Sequence, residues 1–348
     1  CDAMVCAMSA GEVTRLTRLG RFDMDKPASG PMALLKRLRG QKGAAATGGA
    51  QQMKMLRRIP QLLRFIPGTA QDVRAYMLTL QYWLGGSEEN MLNLVRFLVD
   101  RYAAGARAAL RGHVKSAPPV DYPEVGVYHP RLPGRIGDRA ELLPRVVPTA
   151  QVRGRVGVLL LRSYLLAGNA RHYDGVIAAL EVQGLQVVPA FAAGLDARPA
   201  IEAYFMHEGR ATVDAVISLT GFSLVGGPAY NDAKAAEEEH VQLREHPFGG
   251  LGVVVGRPAD EVLAQLDVPY LAAHPVEFQT LEEWEGSERG LLPVESTIMV
   301  AIPELDGATG PIVFGGRASG HADMQLCTER TAMLAARVAR LVALRQTR

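Results

Sequence analysis

At 348 residues and 48% hydrophobic content, the chain is long enough for a substantial core and for two domains, or one and a half. Its 38 basic and 36 acidic residues are spread along the sequence and leave a formal charge of +2, which excludes the electrostatic footprint of a nucleic-acid binder. No run reaches the roughly 18–20 apolar residues of a membrane span and no signal peptide is read at the start. The three cysteines, Cys1, Cys6 and Cys327, have neither CxxC spacing nor an even count, and so point to a reducing cytosol rather than to disulfides or a zinc site.

The sequence opens on Cys1 instead of Met, and residues 1–8 read as a strand running into a helix capped near Ser9, so a piece of a longer protein is expected. A helix, a turn at residues 26–31 and a second, basic helix at residues 32–39 follow. Residues 40–49 are rich in Gly and Ala but lack a Gly-Lys-Ser/Thr ending and a preceding strand, and read as a linker rather than a phosphate loop. The pattern is helical from Lys54 to Tyr102, with Lys54, Arg57, Arg58 and Arg64 as a solvated basic face. Thr69 to Asp72 reads as a capping box, with Val73, Tyr76, Met77, Leu80, Trp83 and Leu84 on one apolar face. Gly85-Gly86 stops that helix and Ser87 starts another, whose buried face would be Met91, Leu92, Val95, Leu98, Val99 and Tyr102.

Residues 113–154, rich in Pro and Arg, read as a crossing segment wrapped on a surface. Past Arg155 strands at 156–161, 185–190 and 213–219 alternate with helices at 173–183 and 198–208, which implies a parallel sheet with right-handed crossovers. A helix over 229–245, short strands at 253–255 and 268–272, and an amphipathic basic helix over 328–348 complete the reading. The fold class is therefore α/β: a parallel-sheet α/β domain (155–317) preceded by a mostly helical region and the end of another α/β domain. As segments, this gives 1–50, a helical 51–112, the crossing 113–154, an α/β domain with the candidate site at 155–325, and a further helix from 326.

Two Gly-rich loops after strands, at 163–174 and 220–228, lack the GxGxxG order of a dinucleotide site. The stretch from His274 to Arg317 is more informative. Ser296 to Ile302 has the length and β-branched content of a buried strand, and Pro303-Glu-Leu-Asp-Gly307 follows where that strand should stop. Glu304 and Asp306 would then sit at a strand end, where open α/β sheets bind ligands. The same five residues are also a good turn, with Glu304 able to pair with an arginine.

The segments 163–175, 213–228, His274-Pro-Val-Glu-Phe-Gln-Thr280 and Pro303-Glu-Leu-Asp-Gly307 resemble the large porphyrin-binding (H) subunit of magnesium chelatase in its bacteriochlorophyll-pathway form, and the cobaltochelatase large subunit more loosely. Residues 6–12 and 65–76 extend the resemblance over nearly the whole chain, while residues 239–260 look like an insertion. The resemblance implies an N-terminal portion of a cytoplasmic subunit, peripheral to the photosynthetic membrane. That subunit would insert Mg²⁺ into protoporphyrin IX while two AAA+ partner subunits, of the I and D type, hydrolyse ATP. The methyltransferase acting next on Mg-protoporphyrin is a further expected partner. A corrin-specific cobaltochelatase subunit and a non-catalytic tetrapyrrole-binding module are the alternative readings.

Metal insertion needs a base for two pyrrole N–H protons and hard oxygen ligands for Mg²⁺. On the resemblance, Glu304 would escort metal or accept a proton, with Asp306 in support and His274 as a base or ring-side contact. Glu277, Gln279, Asn169, His172 and Phe222 would contact the tetrapyrrole, and Leu224, Phe278 and Trp284 could line its apolar face.

Overall fold

The computed structural model describes residues 2–7, 10–26, 60–225 and 259–347. The expectations for 27–59, for the helix at 229–245, for the strand at 253–255 and for most of 239–260 lie outside them. The described residues up to Asp121 form one compact unit, and those from Tyr122 onward form a second.

In the first unit two helices, Thr69–Gly85 and Glu88–Tyr102, pack Val73, Tyr76, Met77, Phe97 and Tyr102 against Leu19 and Phe22. Leu19 and Phe22 come from a small antiparallel hairpin, Arg18–Leu19 with Phe22–Asp23, where the sequence predicts a longer helix; only Gly11–Thr14 is helical, and Met4 makes an isolated bridge in place of the opening strand. The helix break falls at Gly86, whose positive φ of 62° suits glycine, and Ser87 caps the second helix by accepting the Asn90 N–H at 3.1 Å. Thr69 does not cap the first: Gly68 holds that position, and Asp72 instead accepts from the Arg21 N–H and the Tyr102 hydroxyl, both at 2.9 Å. The second helix is also rotated from its expected face. Leu92 and Val95 are exposed while Asn90 and Asn93 are buried, because these two amides satisfy the backbone of Ala117 and Val120. Trp83 is likewise exposed, with Tyr82 buried in its place.

The second unit is built on an eight-stranded sheet. Its strands are β1 (Val125–Tyr128), β2 (Ile136–Gly137), β3 (Gly154–Leu161), β4 (Leu185–Ala192), β5 (Ala215–Ser218), β6 (Tyr270–Thr280), β7 (Thr309–Arg317) and β8 (Gln325–Leu326). The spatial order is β8-β7-β6-β5-β3-β4-β1-β2, with the five central strands parallel and the pairings of β8, β1 and β2 antiparallel. The α/β class and the mostly parallel sheet are as read from sequence. The segment 113–154 is more than a surface crossing, because β1 pairs with β4 and buries Val127 and Tyr128, and the Tyr128 hydroxyl donates to Asp174 at 2.7 Å.

Strand alternation feeds two cores. Val156, Val158 and Leu160 meet Tyr173, Ile177 and Leu180 of the helix Arg171–Val182, and Leu334, Val338 and Val342 of the helix Thr328–Gln346. Leu159 and Val216 face Ile201, Phe205, Val262 and Leu266 on the other side. Both faces are covered, as a parallel sheet requires.

The largest departure is at residues 293–305. The run at 296–302 is not a strand but the middle of a helical segment, Pro293–Glu295, a π-helical Ser296–Ala301 and Ile302–Leu305. Its role explains this. β6 and β7 are parallel neighbours, so the chain between them must travel back to the edge where strands begin, and it does so as a helix. Gly157, in the middle of β3, lies under Phe205, and a Cβ there would come within 2.7 Å of the ring. Gly157→Ala should therefore cost about 1–3 kcal/mol in urea unfolding, as overpacking does.

Candidate functional site

Among the parallel strands the order is β4-β3-β5-β6-β7, so the direction of winding reverses between β3 and β5. Ligands of such sheets bind outside the carboxyl ends of the strands next to that reversal. The carboxyl end of β3, which borders the reversal, comes together with the ends of β6 and β7. β3 runs from Leu161 directly into the short helix Arg162–Leu166, which carries Tyr164; β6 presents Glu277; β7 ends on Arg317. The Tyr164 hydroxyl donates to Glu277 Oε1 at 2.9 Å, and Arg317 Nη1 donates to the Glu277 carbonyl at 3.3 Å.

Glu277 is half-buried, and burial raises its proton affinity above the ordinary carboxyl range. The hydrogen bond from Tyr164 opposes that rise and the nearby Glu295 adds to it. Burial and the Glu277 charge hold the Tyr164 phenol protonated well above its ordinary range. The result is a carboxyl poised to take a proton, with a fixed donor on one oxygen.

Glu295 lies directly beneath. It is fully buried, and its carboxylate accepts from the Glu277 and Phe278 N–H groups at 3.1 and 3.0 Å, from Gln279 Nε2 at 2.6 Å and from the Leu292 N–H at 3.2 Å. Gln279 is thereby turned inward, where it also reaches the Gly290 carbonyl. The exposed apolar side chains Phe278, Leu292 and Val294 flank this network on the surface.

His172 is fully buried among Tyr164, Tyr173 and Phe314, stacked on Phe314 at 5.8 Å with Tyr164 edge-on at 5.3 Å. His274 is equally buried, beside Gly221 and Met299. Neither ring nitrogen of either histidine has a hydrogen-bond partner among the described residues. Desolvation pushes His172 down to about 3 and His274 to about 4, so both are neutral near pH 7. Asn169 accepts the Met324 N–H at 2.9 Å and pins the first loop, and Phe222 is half-buried in a turn around Thr220.

Glu304 and Asp306 are elsewhere. Glu304 lies in the helix Ile302–Leu305 and Asp306 in the turn that follows it into β7, so they are not at a strand's carboxyl end as expected from sequence. Thr309, which begins β7, pairs with Leu271, and the rise from there to Glu277 along β6 is about 20 Å at ~3.3 Å per residue. Glu304 is exposed. Asp306 is buried, bonds the Leu224 N–H at 2.8 Å through Oδ2 and has its proton affinity raised by burial. Neither belongs to a cluster of three or more His, Cys, Asp or Glu able to hold a metal ion, of which there is none among the described residues. His274 sits on β6 with Glu277 but is sealed from solvent.

Sequence reasoning does not single out Tyr164, Arg317 or Glu295. Tyr164 lies inside the first Gly-rich loop, where its position just past a parallel strand could have marked it. Glu295 follows Pro293 as the third residue of a helix, a recognisable start signal hidden by the β-branched run after it.

A model described as CobN/Magnesium Chelatase matches residues 80–348, and one described as a domain of unknown function matches residues 1–77. The chain is 48% identical, over its whole length, to the magnesium-chelatase H subunit of Cereibacter sphaeroides, and spans 28% of that protein. It is 36% identical, over 91% of its length, to the chloroplastic ChlH subunit of magnesium chelatase from Oryza sativa subsp. indica, and spans 22% of it. Among solved structures, the catalytic subunit of cobaltochelatase from Mycobacterium tuberculosis shares the fold, with a TM-score of 0.50 and 22% identity over 78% of this chain and 20% of that one.

Two outcomes follow from the geometry. Tyr164→Phe removes the bond that holds Glu277 ionised, so the Glu277 carboxyl should titrate at higher pH than in the wild type by ¹³C NMR. Buried neutral histidines make the unfolded chain the stronger proton binder below pH 6.5, so stability should fall from there toward about pH 4. His172→Phe should flatten that fall, measured as urea midpoints across the interval.

Proposed function

The chain belongs to the CobN/magnesium chelatase family, and from that premise we propose that it forms part of the porphyrin-binding subunit of a magnesium chelatase, acting on protoporphyrin IX with Mg²⁺ as the substrate metal. The observation that carries this reading is the 48% identity, along the entire chain, to a protein named as the H subunit of magnesium chelatase. ATP would be hydrolysed by AAA+ partner subunits of the I and D type. Hand-over of product would bring in a methyltransferase, at a site peripheral to the photosynthetic membrane; no described helix is long and apolar enough to cross a membrane.

The strand-end rim supports the reading chemically. Insertion requires two pyrrole protons to leave the macrocycle, and Glu277 is a carboxyl with raised proton affinity, held by Tyr164 at the mouth of the sheet. Phe278, Leu292 and Val294 leave apolar surface beside it for the face of a flat ring, and Arg317 offers a cation to its propionates. In this scheme Glu277, half-buried and in reach of solvent, accepts the two ring protons in succession and passes the first to water before it takes the second, and Tyr164 steadies the carboxylate before each transfer. His172 lines the rim from behind as a neutral ring. Glu304, exposed at the opposite edge, is assigned the escort of Mg²⁺, with Asp306 holding its turn against Leu224.

The test is a titration of the chain with protoporphyrin IX, followed by fluorescence quenching with a corrin as competitor, together with metal insertion in the reconstituted chelatase. Glu277→Gln should lower turnover at least about 100-fold, in the range of a lost general base, while Glu304→Ala should raise the Mg²⁺ requirement with smaller loss of turnover. Binding of the corrin without the porphyrin would reassign the protein to cobalt insertion. Unchanged turnover in Glu277→Gln would remove the proposed base.

A further inference from the structure

Glu295 is given no role in the chemistry just described. It is fully buried, yet no cation pairs with it among the described residues; four N–H groups do instead. Two of them are consecutive backbone groups, Glu277 and Phe278, which belong to the stretch of β6 where the strand pairing shifts register between Val276 and Thr280. The β6 backbone has left the ladder there, so its N–H groups need another acceptor. A carboxylate from the neighbouring helical segment supplies it, and the third and fourth donors, from Gln279 and Leu292, lock that carboxylate in turn.

We propose that Glu295 is a positioning residue for Glu277: its carboxylate, bonded to the Glu277 and Phe278 N–H groups, fixes the irregular end of β6 so that the Glu277 side chain meets Tyr164. This rests on the role given above to Glu277. The groups around Glu277 from each packed element are Tyr164 from the helix after β3, His172 and Tyr173 from the helix Arg171–Val182 behind it, Arg317 from β7, Glu295 from the segment after β6, and His274 on β6 itself. Of these, Glu295 is the one that shares hydrogen bonds with the Glu277 backbone and also opposes its ionisation.

Two variants of the chain separate these roles by sign. Glu295→Gln keeps the volume and a carbonyl acceptor for the Glu277 and Phe278 N–H groups but removes the charge, so the Glu277 carboxyl, still bonded to Tyr164, should titrate at lower pH by ¹³C NMR. Gln279→Leu strips the 2.6 Å donor that locks Glu295, which loosens the end of β6 and the Tyr164 bond to Glu277, so the same carboxyl should titrate at higher pH. In the reconstituted chelatase, Glu295→Gln should reduce kcat about tenfold or more with KM for protoporphyrin within about twofold, the mark of a weakened base rather than lost binding. The acid limb of its pH profile should move down with the Glu277 titration. Circular dichroism establishes that each variant is folded; if Glu295→Gln is not, the Gln279→Leu arm decides alone. A folded variant in which the Glu277 titration stays at its wild-type position, or shifts in both variants in the same direction, overturns the proposal. The NMR arms need no porphyrin, so a wild-type chain that fails to bind protoporphyrin would reject the chelatase reading and leave the positioning role still measurable.

Discussion

Strand β3 is the constraint on which the second unit depends. Every residue from Gly154 to Leu161 is in register with β4, and Val156 to Leu159 pair with β5 on the other side. Where it is paired along both edges and buried on both faces the strand leaves no room for polar side chains, and from Val156 to Leu161 its sequence is accordingly a continuous apolar run with a glycine where Phe205 presses closest. Because neighbouring strands are parallel, each connection must return to the starting edge before the next strand begins. Among the five parallel strands, the loops that follow a strand are thereby gathered at one rim and those that precede one at the other.

That segregation divides the acidic residues of the 274–317 stretch into two groups. Glu277 follows most of β6 and stands at the carboxyl rim with Tyr164 and Arg317. Glu304 and Asp306 precede β7 and stand at the other. Their closeness in sequence is misleading, since a returning helix separates them in space. The apolar run at 296–302 has strand-like composition, yet composition is a weak preference that tertiary context overrides. Here the context is a Pro at the helix start, a buried Glu295 bonded to four N–H groups, and the need to travel backwards along the sheet.

The rim also combines groups that are costly to bury. His172 and His274 lose their charge to desolvation, and Glu277 gains proton affinity for the same reason. Strongly perturbed groups next to a topological reversal are more informative together than either alone, since structural ion pairs also perturb proton affinities. The first unit shows the contrasting case. There the buried polar residues Asn90 and Asn93, and the carboxylate of Asp72, all have backbone or hydroxyl partners and hold the two helices and their flanking loops in place.

Much was decided by local sequence. The alternation of apolar runs and amphipathic stretches past Arg155 determined the parallel α/β class, because a strand buried on both faces and a helix buried on one have different periodicities. The motifs around Ser163, Thr220, His274 and Pro303 determined the family. The Gly-Gly stop and Ser87 cap determined a helix boundary, since both act within a few residues. Only tertiary structure decided which face of the second helix is buried, because Asn90 and Asn93 answer to backbone groups some thirty and twenty-four residues away. It alone decided that β1 joins the sheet, and that 296–302 is helix. It also selected Tyr164, Arg317 and Glu295 as the neighbours of Glu277: hydrogen bonds to Glu277 from residues 113 and 40 positions away depend on strand order, which no local pattern encodes.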